Sequence, residues 1–179
     1  MLIFEVHSGQ LSKGTRVDGD IEWFKKDTDR LIIGKYRQLD SGGREVLANP
    51  EALTGDPPYP DMKVLSYVVV GGGYPGEAVS GGYVEDLATQ GGLFPEEEGF
   101  GKVGIMRPAE LEMLEGLFEK GEDIAALLEQ WKLSGLRNVS LWNFLSDKFS
   151  DQSLFRPVRM GPRVEAAFED LQERPGLHE

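Results

Sequence analysis

"KVLSYVVV", residues Lys63 to Val70, is the strongest strand signal in the chain. Its consecutive β-branched and aromatic residues suit a strand covered on both faces, where alternation with polar residues is not needed. Upstream, "MLIFEV", Met1 to Val6, is a second apolar run with Glu5 inside it, and it reads as a buried strand. Between them "IEWFKKDTDRLIIGKYRQL" carries apolar residues at mixed helical spacing, which predicts a helix from about Asp27 to Leu39 that starts several residues earlier if the spacing is followed back. A strand, a helix and a second strand make a right-handed crossover unit with the two strands parallel. The expected fold is therefore an α/β front built on a short parallel sheet.

Further along, "DSGGREVLANPEALTGDPPYPDM" reads as a long connection, with Pro57, Pro58 and Pro60 excluding a regular helix near its end. From Gly71 to Gly104 glycine is dense enough that only short structure is expected, with a helical turn or two at Tyr83 to Gln90. The chain then changes character. Pro108 suits the first position of a helix with Leu111, Leu114, Leu117 and Phe118 on one stripe, and Gly121 stops it. "EDIAALLEQWKL" begins a second helix, Ser140 can cap a third at "LWNFLSDKF", and Val164, Ala167, Phe168 and Leu171 mark a fourth. Two parts are expected: an α/β module over residues 1–104 and an α-helical C-terminal part over 105–179.

Composition narrows the chemistry. The 179 residues include no Cys and two His, so disulfides, thiolate metal sites and His-rich metal sites are excluded. The net charge of −12 opposes a phosphate backbone, so nucleic acid is not favoured, and a protein partner or self-association is. An acidic decoy of a basic protein is also compatible with that charge. Two small basic groups, Lys25, Lys26 and Arg30, then Arg156, Arg159 and Arg163, read as solvated faces. No apolar run approaches the ~20 residues that span a bilayer, and a charged segment ahead of an apolar one is not seen, so a cytoplasmic protein is expected.

Gly71-x-Gly73-x-x-Gly76 follows the strong strand as a dinucleotide turn would. Such a turn needs a helix directly after it, and Gly81 and Gly82 disfavour one by roughly 1 kcal/mol apiece. A nucleotide-binding module through Gly71 to Gly76 is the lesser reading; a mobile corner is the expectation.

Taken whole, "LIFEVHSGQLSKGTRVDGDIEWFKKDTDRLIIGKYRQL" has a carboxylate on a strand, a glycine turn and a helix with Gln near its end. This order resembles the second half of the restriction-endonuclease-like nuclease core, the PD-(D/E)XK superfamily, over about the first 70 residues. In that family the strand reads Glu-x-Lys. The resemblance implies Glu5 as the metal carboxylate, His7 at the Lys position and Gln38 at the helix end. In the family, Mg²⁺ held by an upstream Asp and the strand Glu activates water beside a phosphate. No Asp precedes Glu5; Asp18 and Asp20 follow it, and further strands are expected from later sequence such as Gly101 to Met106 or from another chain. The expectation is an accessory or binding protein on an incomplete, inactive nuclease-like core, needing no cofactor. The alternative is an active Mg²⁺-dependent nuclease using Glu5 and His7.

Overall fold

The computed structural model describes residues 1–55, 57, 62–71, 73–75, 78–134 and 140–162, with side chains excepted at Thr54, Ala78, Val79 and Gln152. Gly76, Pro58, Pro60, Arg163 and the expected fourth helix from Val164 lie outside them.

Strand β1 (Leu2–His7) pairs in parallel with β2 (Leu65–Val70), from Leu2 opposite Leu65 to His7 opposite Val70. Strand β3 (Gly104–Met106) pairs in parallel with the other side of β2. The sheet order is thus β1-β2-β3. All six residues of β2 are buried, which is why that segment reads as an unbroken apolar run. β1 differs from its expected character: it is the edge strand, and its residues are only partly covered. The later segment does supply a strand, but on the far side of β2 from Glu5.

A short helix α1 (Lys13–Arg16) follows β1, and α2 (Ile21–Thr28) begins behind Asp20, whose carboxylate accepts from the Glu22 and Trp23 amides. A π-helical turn at Asp29–Ile33 then buries three successive apolar residues, Leu31, Ile32 and Ile33. The wider turn narrows the arc over which three successive side chains spread, and all three lie in the core cluster on the α3 side of the sheet. Helix α3 (Gly34–Ala48) continues without interruption, and α4 (Pro50–Thr54) starts on its proline. The helix therefore runs well past the expected Leu39, through Gly42 and Gly43. Burial decides this: a Cβ on Gly43 would lie 2.4 Å from the Phe100 ring, so glycine is what lets α3 sit close to the residues before β3.

Helix α5 (Ala78–Gln90) corrects the second expectation of irregular structure. It spans Gly81 and Gly82, and it buries Val84 and Ala88 against the sheet. Tertiary packing of that face outweighs weak glycine propensity. Helices α3 and α5 lie on one face of the sheet, with Leu31, Ile32, Tyr36, Leu39, Val68 and Val70 in one core cluster. Two successive crossovers moving in one direction must share a face when both have the usual hand.

The opposite face is covered by α6 (Pro108–Glu119), α7 (Ile124–Leu133) and α8 (Leu141–Lys148), each starting where proline, Asp123 or Ser140 places it. Leu65, Tyr67 and Val69 of β2 point into this second cluster, with Leu114, Leu117, Leu128 and Trp131. The result is a three-layer α/β front whose third layer is the helical C-terminal part. The expected boundary after residue 104 falls within β3. Among the described residues no helix is long and apolar enough to cross a membrane.

Candidate functional site at the edge of the sheet

Side chains of β1 alternate between the two faces. Ile3 belongs to the α3 side and Leu2 and Phe4 to the α6 side, so Glu5 and His7 share the α3 face with Ile3. The Glu5 carboxylate accepts a 2.8 Å hydrogen bond from Lys35 Nζ, and the same ammonium donates to Gln38 Oε1 at 2.9 Å. The strand carboxylate and the helix glutamine singled out by sequence are therefore brought together, through a lysine that was not. The signal for Lys35 is its i, i+3 spacing from Gln38, which puts both on one face of α3.

His7 stands two residues along the same face. Its Nε2 is buried with no hydrogen-bond partner among the described residues. Gly9 and Leu31 close around it: a Cβ on Gly9 would come within 2.4 Å of that nitrogen. The imidazole is packed under the turn after β1, and the cation beside Glu5 comes from α3.

Two loops at the carboxyl ends of the strands are anchored to α2. Asp27 accepts from the Ser12 amide at 2.7 Å, the Thr15 hydroxyl at 2.6 Å and Arg30 at 2.9 Å, while Arg30 also donates to the Gln10 carbonyl. Burial opposes ionisation of Asp27, but these donors outweigh it and hold the carboxyl far below the usual range. The loop after β2 is held by a 3.0 Å hydrogen bond between Thr28 and Tyr74. Burial pushes the Tyr74 phenol up to about 12, against that hydrogen bond.

The glycine loop lies between the end of β2 and the start of α5, so the strand–loop–helix order of a phosphate-binding turn is present. Gly71 follows Val70 directly, and Gly73 has φ +82, a conformation that favours glycine. This differs from the expectation that no helix follows.

The donor set at Glu5 does not suit Mg²⁺. That ion takes several oxygen donors in octahedral array, whereas Glu5 is one carboxylate balanced by one ammonium. Asp20 is committed to capping α2. Among the described residues no three His, Asp or Glu side chains are grouped to hold a metal. The basic groups are also engaged: Arg159 grips Glu115 through two 2.6 Å hydrogen bonds, and Lys25 pairs with Glu22.

The other side of β1 carries a different kind of feature. In the parallel ladder the Leu65 amide donates to Met1 and the Gly71 amide to His7, so the odd-numbered residues of β1 bond to β2. The N–H and C=O groups of Leu2, Phe4 and Val6 face away from it, and no described strand lies on that side. Val6 is 66% exposed. Next to this edge is an apolar trough of about 620 Å³ between β1, α6 and α7.

No protein-family model, curated protein or solved structure matches this chain.

Proposed function

We propose that this is an accessory binding protein on an α/β core resembling part of the PD-(D/E)XK nucleases, acting through contacts with another protein. The observation that carries the reading is the edge of β1 that is unpaired among the described residues, with its outward backbone groups beside an apolar trough. A strand edge of this kind is a template for pairing unless it is blunted by charge, proline or a bulge. The strand has no proline, and its one carboxylate, Glu5, is turned onto the α3 face and balanced by Lys35, while the outward-bonding residues are the apolar Leu2, Phe4 and Val6. The neutral Glu5–Lys35 pair supports the same reading, because it lacks the excess negative charge that would draw a divalent cation. Cross-linking of the protein with its co-purifying partners, followed by mass spectrometry, tests it. Cross-links clustered around β1 and the start of α7 are expected; a distribution that avoids them would count against the proposal.

A metal-dependent nuclease is the second reading, favoured by Lys35 lying 2.8 Å from Glu5 as an ammonium beside a candidate metal carboxylate. It requires a further carboxylate from elsewhere in the chain or from a partner. Plasmid cleavage with Mg²⁺ or Mn²⁺ that disappears in Glu5→Ala would favour it over the binding role.

A further inference from the structure

Resting on the binding reading, we propose that the β1 edge accepts an extended segment of a partner as a fourth strand, with apolar residues at alternate positions and Lys or Arg between them. The backbone supplies the first requirement. Leu2, Phe4 and Val6 present their N–H and C=O groups outward in a row, and an added strand would satisfy them at a spacing of about 4.8 Å.

The trough supplies the second. Leu2, Phe4, Leu111, Leu114, Phe118 and Ile124 line it, continuous with the face of β1 that bears the outward-bonding residues. Phe118 is 70% exposed although it lies beside a packed apolar stripe. In an added strand every second side chain falls on this face, so alternate apolar residues would enter the trough and the others would not.

Charge supplies the third and selects the partner. The polar lining of the trough is Glu115, Glu122 and Asp123; Glu115 is paired with Arg159 and Asp123 caps α7, which leaves a modest acidic rim with no Lys or Arg lining it among the described residues. A second copy of this chain would bring the same acidic rim against it, with a net charge of −12 on each molecule. Like charges repel, which disfavours a second copy, and the Lys or Arg of an added strand, on the face away from the trough, is drawn by the same overall negative charge, so a foreign basic strand is the fitting occupant.

The probe is a fluorescent octapeptide of alternating Val and Lys, with a Val and Glu counterpart and two versions N-methylated on either the Val or the Lys amides. Fluorescence anisotropy and amide hydrogen exchange are read on the intact protein. Binding of the basic peptide is expected to slow exchange at Phe4 and Val6. Affinity should fall at least tenfold with the acidic peptide, with one of the two methylation patterns, and with Phe118→Lys at an exposed position, its fold checked by circular dichroism. Equal effects of the two methylation patterns would overturn strand addition. Equal binding of the acidic peptide, with Phe4 and Val6 still protected, would overturn the basic partner and leave the binding reading intact. Self-association by sedimentation, with the same amides protected in the absence of peptide, would replace the partner with a second copy. Should no peptide protect β1, the inference falls, while the binding reading stands or falls by the cross-links.

Discussion

Lys35 on α3 meets Glu5 on β1 at 2.8 Å, thirty residues apart in the chain, and it donates to Gln38 from the same ammonium. Both members of the ion pair are partly solvated, with side-chain exposures of 21% and 33%. Solvent screening limits such a pair to about 0–1 kcal/mol. A double-mutant cycle of Glu5→Gln and Lys35→Met by urea denaturation is expected to give a coupling within that range and above zero. A coupling of several kcal/mol would mean the pair is far more enclosed than described; none at all would mean it is not formed.

Glu110 joins two helices. Its carboxylate accepts from the Arg107 amide at 2.7 Å and from the Arg107 guanidinium at 3.1 Å, capping α6, and from the Trp142 amide at 3.0 Å in the first turn of α8. The residue is 2% exposed. Glu110→Ala strands two backbone donors, each lost hydrogen bond to a charged group being worth about 1.5–3 kcal/mol. A loss of about 3 kcal/mol is expected, and Glu110→Gln should recover part of it because one amide oxygen still accepts. Chemical denaturation reads both. A Glu110→Ala protein as stable as the parent would show that α8 does not depend on this carboxylate.

The architecture was legible because its decisive elements are strongly patterned. The β2 run, the proline opening α6 and the caps at Asp123 and Ser140 each carry a local signal, and each element forms where its signal lies. What was not legible depends on partners distant in sequence. Glycine at 42, 43, 81 and 82 reads as loop, yet α3 and α5 run through these positions because sheet and Phe100 contacts reward helical packing there. The candidate site divided in the same way. Glu5 and Gln38 were found from their motif order, whereas Lys35 enters only when α3 is laid across β1. The edge position of β1 was hidden too, since an apolar strand looks alike whether one or both of its edges are paired.

Acid should loosen the loop after β1. The folded carboxyl of Asp27 lies well below its ordinary value of about 3.9, so the unfolded chain takes up this proton first as pH falls. Its contribution to stability is complete above the ordinary value and is lost progressively as pH drops toward the folded one. At neutral pH, Asp27→Asn is expected to cost about 1.5–3 kcal/mol, since it weakens hydrogen bonds made to a charge. That difference should shrink between pH 4 and pH 2. A difference independent of pH would mean that the Asp27 carboxyl titrates alike in the folded and unfolded chain.

Neighbouring glycines of α3 should respond in opposite directions to the same change. Replacing a glycine by alanine in a helix interior ordinarily stabilises by about 0.5–1 kcal/mol, because the unfolded chain loses freedom. At Gly42 an added Cβ meets nothing within 4 Å, so Gly42→Ala is expected to gain that amount. At Gly43 the same methyl would stand 2.4 Å and 2.9 Å from two carbons of the Phe100 ring and 3.4 Å from Val64. Phe100 is 2% exposed and packed edge-on against Phe94, so its ring has little room to retreat. Gly43→Ala should therefore destabilise by about 1–3 kcal/mol, the range for overpacking a core. Phe100→Leu in the Gly43→Ala background should recover part of that loss by removing the ring edge. Thermal unfolding of the four proteins decides it: if both alanine variants are stabilised, α3 does not approach the residues before β3 as closely as described, and the argument for glycine at 43 fails.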